Sequence, residues 1–222
     1  MRALIFDMDG VLVDPTDSYR QTLIDTVAHF SGNQLTQERI VEMKNRGGYN
    51  DDCVIARDVL QEFGVKIDYD KVHEYFEKLF WGTGSDGMIL RERWLLDAGV
   101  LSRLARSYRL AVYTGRPGQA ARFTLDRFAN GTAFDPVVSS DQVENHKPAP
   151  DGLLRALEQL PECEPTYVGD NVDDGRCARA AGIPFVGIAA ADAPRREEII
   201  RLFQQDGATA VIENINELES VL

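Results

Sequence analysis

The sequence predicts an α/β fold, a parallel sheet covered by helices on both faces, with a helical segment inserted after the first strand. Three observations carry this expectation. Short apolar runs alternate with segments of helical periodicity along most of the 222 residues. The runs are continuously apolar, as strands buried on both faces should be. Residues 15–88 break the rhythm, with helical patterns and no convincing strand.

Taken in order, the first expected strand is residues 3–6, which runs into an acidic motif. The insertion follows, with helices expected over 18–30, 37–44, 52–63 and 69–80. Asn50, Asp51 or Asp52 suits the cap of the third. His73, Tyr75, Phe76, Phe80 and Trp81 read as packing residues. Pro15 and the glycine-rich residues 82–87 read as hinges, which divides the chain into a core of 1–14 and 89–222 and a helical insertion of 15–88. Further strands are expected at 109–113, 136–138, 166–168, 184–188 and 210–212. Helices are expected at 100–105, 117–128, 151–160, 175–181, 194–205 and 215–222. Pro117 suits a first helical turn, and Asp151 suits an N-cap after Pro150. Because the insertion begins just past the first strand, it belongs at that strand's C-terminal end, where open α/β sheets place their ligands.

The net charge of −12 disfavours nucleic acid or an anionic membrane as partner, since both need basic surface. A small anionic substrate stays compatible, because a metal ion and a few cations can invert the field inside a site. No apolar run reaches the roughly 20 residues that span a bilayer. The N-terminus lacks the long apolar segment of a signal peptide, so a cytoplasmic location is the expectation. Cys53, Cys163 and Cys177 are widely spaced and odd in number, which fits reduced thiols rather than a zinc or redox pair.

Four strand ends carry polar residues. Asp7 and Asp9 open Asp7-Met8-Asp9-Gly10. A bare pair of this kind reads equally well as two acids closing a strand in a turn. Thr114-Gly115-Arg116 ends the second strand, where a hydroxyl and backbone N–H groups suit a phosphate oxygen and also suit a plain turn. Lys147 lies among prolines in His146-Lys147-Pro148-Ala149-Pro150, and alone it is an ordinary surface charge. Asp170, Asp173 and Asp174 crowd one strand end, and such acids repel unless a hard cation with oxygen ligands sits among them.

The joint order is more specific than any member. DxDG, a strand-end Thr, Lys-Pro and GDxxxD resemble the four motifs of the haloacid dehalogenase-like hydrolases, and the helical insertion is similar to that family's alpha-helical cap. The nearest branch in appearance is the phosphoglycolate phosphatase-like and β-phosphoglucomutase-like group. The resemblance implies a Rossmann-like three-layer core and a phosphatase acting on a small phosphorylated metabolite. It implies that Asp7 is the nucleophile that becomes an aspartyl phosphate, and that Asp9 is the acid/base. Family dehalogenases lack an acid at the Asp9 position. It implies Mg²⁺ held by Asp7, the Asp9 carbonyl, Asp170 and Asp174, with Asp173 the competitor for the last place. Thr114, Gly115, Lys147 and Gly10 would surround the phosphate. Gly115-Arg116-Pro117 stands where many relatives carry Asn-Lys-Pro, and Arg116 reads either as a substrate contact or as a surface charge. The cap sets substrate choice in such enzymes, which makes Arg46, Tyr49 and Asn50, on a glycine-containing break, the specificity candidates.

Two other readings remain open on the residues. One is a sugar-phosphate phosphomutase, if the aspartyl phosphate outlasts attack by water. The other is a phospho-receiver or an idle binding module, although receivers carry adjacent acids rather than DxD. Sequence leaves the choice between monomer and homodimer open.

Overall fold

The computed structural model describes residues 1–222, which fall into two compact units: Met1–Val13 with Trp94–Leu222, and Asp14–Arg93. In chain order the elements begin with β1 (Arg2–Phe6) and β2 (Val13–Asp14). Four helices follow, α1 (Gln21–Ser31), α2 (Gln37–Arg46), α3 (Asp52–Glu62) and α4 (Tyr69–Trp81). The chain continues with β3 (Arg93–Trp94), α5 (Val100–Leu104), β4 (Tyr108–Tyr113), α6 (Gly118–Phe128) and β5 (Val137–Val138). It ends with α7 (Asp151–Glu158), β6 (Glu164–Gly169), α8 (Val172–Ala181), β7 (Phe185–Ile188), α9 (Arg196–Gln205) and β8 (Ala210–Ile212). No helix is long and apolar enough to cross a membrane.

Six strands form one sheet in the order β5-β4-β1-β6-β7-β8, and every neighbouring pair is parallel. β1 lies between β4 and β6, with Phe6 level with both Val112 and Val168. Asp7, Thr114 and Asp170 therefore leave three adjacent strands within about one residue of a common level. Strand alternation sorts the core. Leu4, Phe6, Leu110, Val112 and Val168 join one apolar cluster with Leu104 and Leu125. Ala111, Tyr113 and Tyr167 point to the other face, where Gly152 of α7 lets the Tyr113 ring approach.

The second unit is helical. Leu23, Val27, Ile40, Ile55, Val59, Leu60, Val72, Phe76 and Phe80 are among its buried residues. The Phe80 ring lies 4.2 Å from that of Tyr19, Tyr75 stacks on His29 at 3.9 Å, and Trp81 packs edge-on against Phe80. Phe76 and Phe80 thus pack as expected, while His73 is exposed and stacks on Tyr69. Thr36 caps α2 by accepting from the Arg39 amide, and Asp51 caps α3 by accepting from the Cys53 amide.

Several boundaries differ from expectation for local reasons. The helix expected over 18–30 opens as one π-helical turn, Thr16–Arg20, where Ser18 N–H and Arg20 N–H both reach the Pro15 carbonyl. α8 starts at Val172 rather than at Gly175, because Asn171 and Asp174 form a capping box there. Asp151 does not cap α7; it lies inside the first turn and accepts from Asn145 Nδ2 at 2.9 Å. The last expected helix is a 3-10 segment, Ile215–Ser220, led by an Asn214 cap. All three cysteines are free, Cys53 and Cys177 buried and Cys163 half-buried.

Candidate active site

The site grows from the turn that follows β1. Asp7 N–H donates to the Val168 carbonyl at 2.9 Å, so the ladder with β6 runs one residue past the strand. The Met8 carbonyl then accepts from the amides of Val11, Leu12 and Val13 at 2.8–3.2 Å, which winds Asp9 and Gly10 into a tight loop. Gly10 has φ +72, and a Cβ there would lie 1.9 Å from Asp170 Oδ2. A glycine at this position both permits the left-handed turn and leaves room for Asp170.

Lys147 is buried at the centre. Its Nζ pairs with Asp7 Oδ1 at 2.9 Å and with Asp174 Oδ1 at 2.8 Å. It also lies 4.8 Å from the Tyr113 ring centroid and 5.4 Å from that of Tyr167. Burial alone would lower its pKa, but Asp174 and Asp7 outweigh burial and hold the ammonium charged well above the ordinary lysine range. Burial pushes the Asp7 carboxyl up, to about 7, with Lys147 opposing and the Asp174 and Asp9 carboxylates adding to the rise. Asp7, Asp170 and Asp174 each offer a carboxylate oxygen, and the three atoms lie within 4.8 Å of one another. Asp174, not Asp173, belongs to this group; Asp173 lies 3.8 Å from Arg176 instead.

Asp174 is held on several sides. Tyr167 OH donates to its Oδ1 at 2.8 Å, and the Asn171 amide donates to its Oδ2 at 3.0 Å. Gly169 is the floor beneath it, since a Cβ there would meet Asp174 atoms at 2.5 Å. Thr114 is fully buried at the end of β4, and its Oγ1 accepts from the Arg116 amide at 3.2 Å.

Arg116 is no surface residue, for its side chain is 1% exposed. Nε and Nη2 grip both oxygens of Asp9 at 2.9 and 2.7 Å, and Nη1 donates to Thr124 Oγ1 of α6 at 2.9 Å. Of the insertion candidates, Arg46 ends α2 and pairs with Glu42 at 2.6 Å, and Tyr49 OH donates to Asp58 at 3.2 Å. Asn50 lies between α2 and α3. These three do not form a buried cluster of charges like the one at the strand ends.

Sequence reasoning passed over Tyr167, Tyr113 and Thr124. The first two sit in apolar strands and look like core. The available signal was that a tyrosine in a buried central strand needs a partner for its hydroxyl.

The chain matches the model of the haloacid dehalogenase-like hydrolases over residues 4–188. An imidazoleglycerol-phosphate dehydratase from Phytophthora nicotianae is 33% identical over 85% of this chain, which spans 43% of that relative's length. A pyrophosphatase PpaX from Anoxybacillus flavithermus is 25% identical, over 85% of this chain and 84% of its own. A Thermotoga maritima structure provisionally assigned as a beta-phosphoglucomutase is 25% identical with a TM-score of 0.65, covering 100% of both chains. With four polar strand ends gathered on a parallel sheet and a family match spanning most of its length, the chain belongs to the haloacid dehalogenase-like hydrolases.

Proposed function

We propose that the protein is a magnesium-dependent phosphomonoester hydrolase acting on a small phosphorylated metabolite through an aspartyl phosphate on Asp7. The observation that carries this reading is the buried Lys147, ion-paired to Asp7 just past β1 and to Asp174 in the first turn of α8. A buried ammonium beside a carboxylate suits a dianionic phosphoryl group, and Thr114 and Gly115 follow β4, the strand paired with β1.

In the first step an Asp7 oxygen attacks phosphorus while the bond to the leaving oxygen breaks, and Asp9 gives that oxygen a proton. In the second, Asp9 takes a proton from water, the water oxygen attacks phosphorus, and the bond to Asp7 breaks. Asp9 ends protonated and Asp7 free, so the net reaction is ester plus water to alcohol plus phosphate. Lys147, Thr114 and the Gly115 amide hold the transferring group. The donor set of Asp7, Asp170 and Asp174 is all oxygen and compact, which fits a hard divalent cation, and the Asp9 carbonyl would complete it. When bound, magnesium would offset phosphate charge and the mutual repulsion of these acids.

The test is phosphate release from a panel of phosphorylated metabolites and inorganic pyrophosphate, with and without Mg²⁺. Acid-stable trapping of ³²P on Asp7, absent in Asp7→Asn, would establish the intermediate. The similarity to the Thermotoga structure supports a second reading, phosphoryl transfer within a sugar phosphate. Glucose 6-phosphate formed from glucose 1-phosphate, with a bisphosphate activator, would favour it over hydrolysis.

A further inference from the structure

We propose that Arg116 is a positioning residue that fixes the Asp9 carboxylate at the reacting centre, with Thr124 of α6 locking the guanidinium behind it. The inference rests on the acid/base reading of Asp9 and goes beyond it. Both oxygens of Asp9 are gripped by one planar fork, at 2.9 and 2.7 Å, across 107 residues of sequence. A third nitrogen of the same fork is tied to Thr124 Oγ1 at 2.9 Å. The Arg116 amide meanwhile donates to Thr114 Oγ1, so one residue touches both the acid and the hydroxyl proposed to bind phosphate.

Bidentate pairing fixes the plane and rotation of a carboxylate, which a point charge cannot do. Asp9 sits on a tight loop after β1, and 30% of its side chain is exposed. Arg116 lies in the turn between β4 and α6, and Thr124 ties it to α6, a regular element that carries positional precision better than a loop does. An arginine side chain so deeply buried is retained only with full pairing, and Asp9 supplies two of its contacts here. A misplacement of about 1 Å at a proton-transferring group costs roughly 100-fold in rate.

The test uses Arg116→Lys, which keeps the charge and loses the fork, and Thr124→Val, which removes only the lock. Two probes separate the roles: glycerol 3-phosphate, whose alkoxide must be protonated to leave, and p-nitrophenyl phosphate, whose phenolate leaves without help. On glycerol 3-phosphate, Arg116→Lys should lower kcat about 10- to 100-fold with KM within about 2-fold. First-turnover nitrophenol release should fall less than about 3-fold. Thr124→Val should move both readouts the same way by less, and it serves alone if Arg116→Lys does not fold. In an Asp9→Asn background Arg116→Lys should cost nothing more, because it acts only through Asp9. Equal loss on both probes, a raised KM alone, or an added loss in that background overturns the proposal. If Asp9→Asn is impaired while both Arg116→Lys and Thr124→Val keep full activity, the positioning role alone fails. If Asp9→Asn itself keeps full kcat on glycerol 3-phosphate, the acid/base reading fails and takes this one with it.

Discussion

The charges around Lys147 in the sheet unit and those around Glu42 in the helical unit are built on opposite plans. At the strand ends, Lys147, Asp7, Asp174 and Arg116 are buried, and their partners come from distant parts of the chain. In the helical unit the ion pairs of Glu42 with Arg39 and Arg46 join neighbours one helical turn apart on half-exposed surface, although Lys44–Asp52 there is longer in range and more enclosed. A buried charge costs several kcal/mol of lost hydration, and its pairing rarely returns a net gain. A surface pair costs little and returns little. The strand-end cluster is therefore poorly explained by stability and well explained by chemistry, whereas the helical pairs need no functional account.

The largest expected effect follows from removing the central carboxylate. Asp7→Asn keeps the shape and deletes the nucleophile, so phosphatase turnover should fall at least about 1,000-fold. Far-UV circular dichroism should be unchanged. Full turnover by this variant would end the proposed mechanism and leave the buried cluster without its explanation.

The next test sets two glycines against each other. Gly10 and Gly32 have nearly the same backbone, φ +72 and φ +70, but a Cβ at Gly10 would strike Asp170 whereas one at Gly32 would meet nothing within 4 Å. Both substitutions to Ala incur the left-handed penalty of about 1–2 kcal/mol, about 2–8 °C in Tm for a chain of this size. Only Gly10→Ala should also weaken Mg²⁺ binding, by tenfold or more, since Asp170 must move. Equal magnesium affinity in both variants, read by calorimetry, would remove Asp170 from the metal site.

Much of this was legible in the sequence, and what was not has a common cause. Asp7, Thr114, Lys147 and Asp170 are legible together, because they follow one another in a fixed order at the ends of apolar runs or, for Lys147, ahead of prolines, although none is specific alone. Arg116 resembled any solvated arginine, because its partner Asp9 is 107 residues away and nothing local marks the pair. Asp173 and Asp174 could not be separated by spacing. The capping box decides between them, by turning Asp174 back toward Asn171. β2 and β3 are two residues each, too short for any periodicity to register. Pattern reading finds groups whose role is set by their neighbours in sequence, and it loses those whose role is set by tertiary pairing.

A subtler expectation concerns pH. Folding raises the Asp7 pKa to about 7, above its ordinary carboxylate value near 4. Between these values the folded chain holds a proton that the unfolded chain has released. Asp7 therefore withdraws stability from the metal-free protein as pH rises from about 4 to 7. Magnesium on Asp7 displaces that proton. Its affinity should tighten up to about 10-fold per pH unit below 7 and level off above. Thermal melts at fixed Mg²⁺ should show a larger stabilisation at about pH 8 than at about pH 6. The reverse order would place the metal away from Asp7.

The smallest expected effect lies in the helical unit, and it is where the contrast between the two plans is most easily broken. Arg46 is 52% exposed and pairs with Glu42 one turn back on α2, so Arg46→Ala should shift Tm by no more than about 1 °C. That near-silence makes the variant a clean probe of substrate choice. Because no structural loss confounds it, a fall in kcat/KM confined to one phosphorylated metabolite of the panel would assign Arg46 to recognition of that compound's leaving group. A fall shared by all would implicate the phosphoryl group instead. If kcat/KM for the best substrate is untouched, Arg46 is only half of a surface ion pair, and specificity must be sought at Tyr49 and Asn50, on the break where φ is positive at Gly47 and Gly48. Tyr49→Phe is the natural next step there, because it deletes only the hydroxyl that now donates to Asp58.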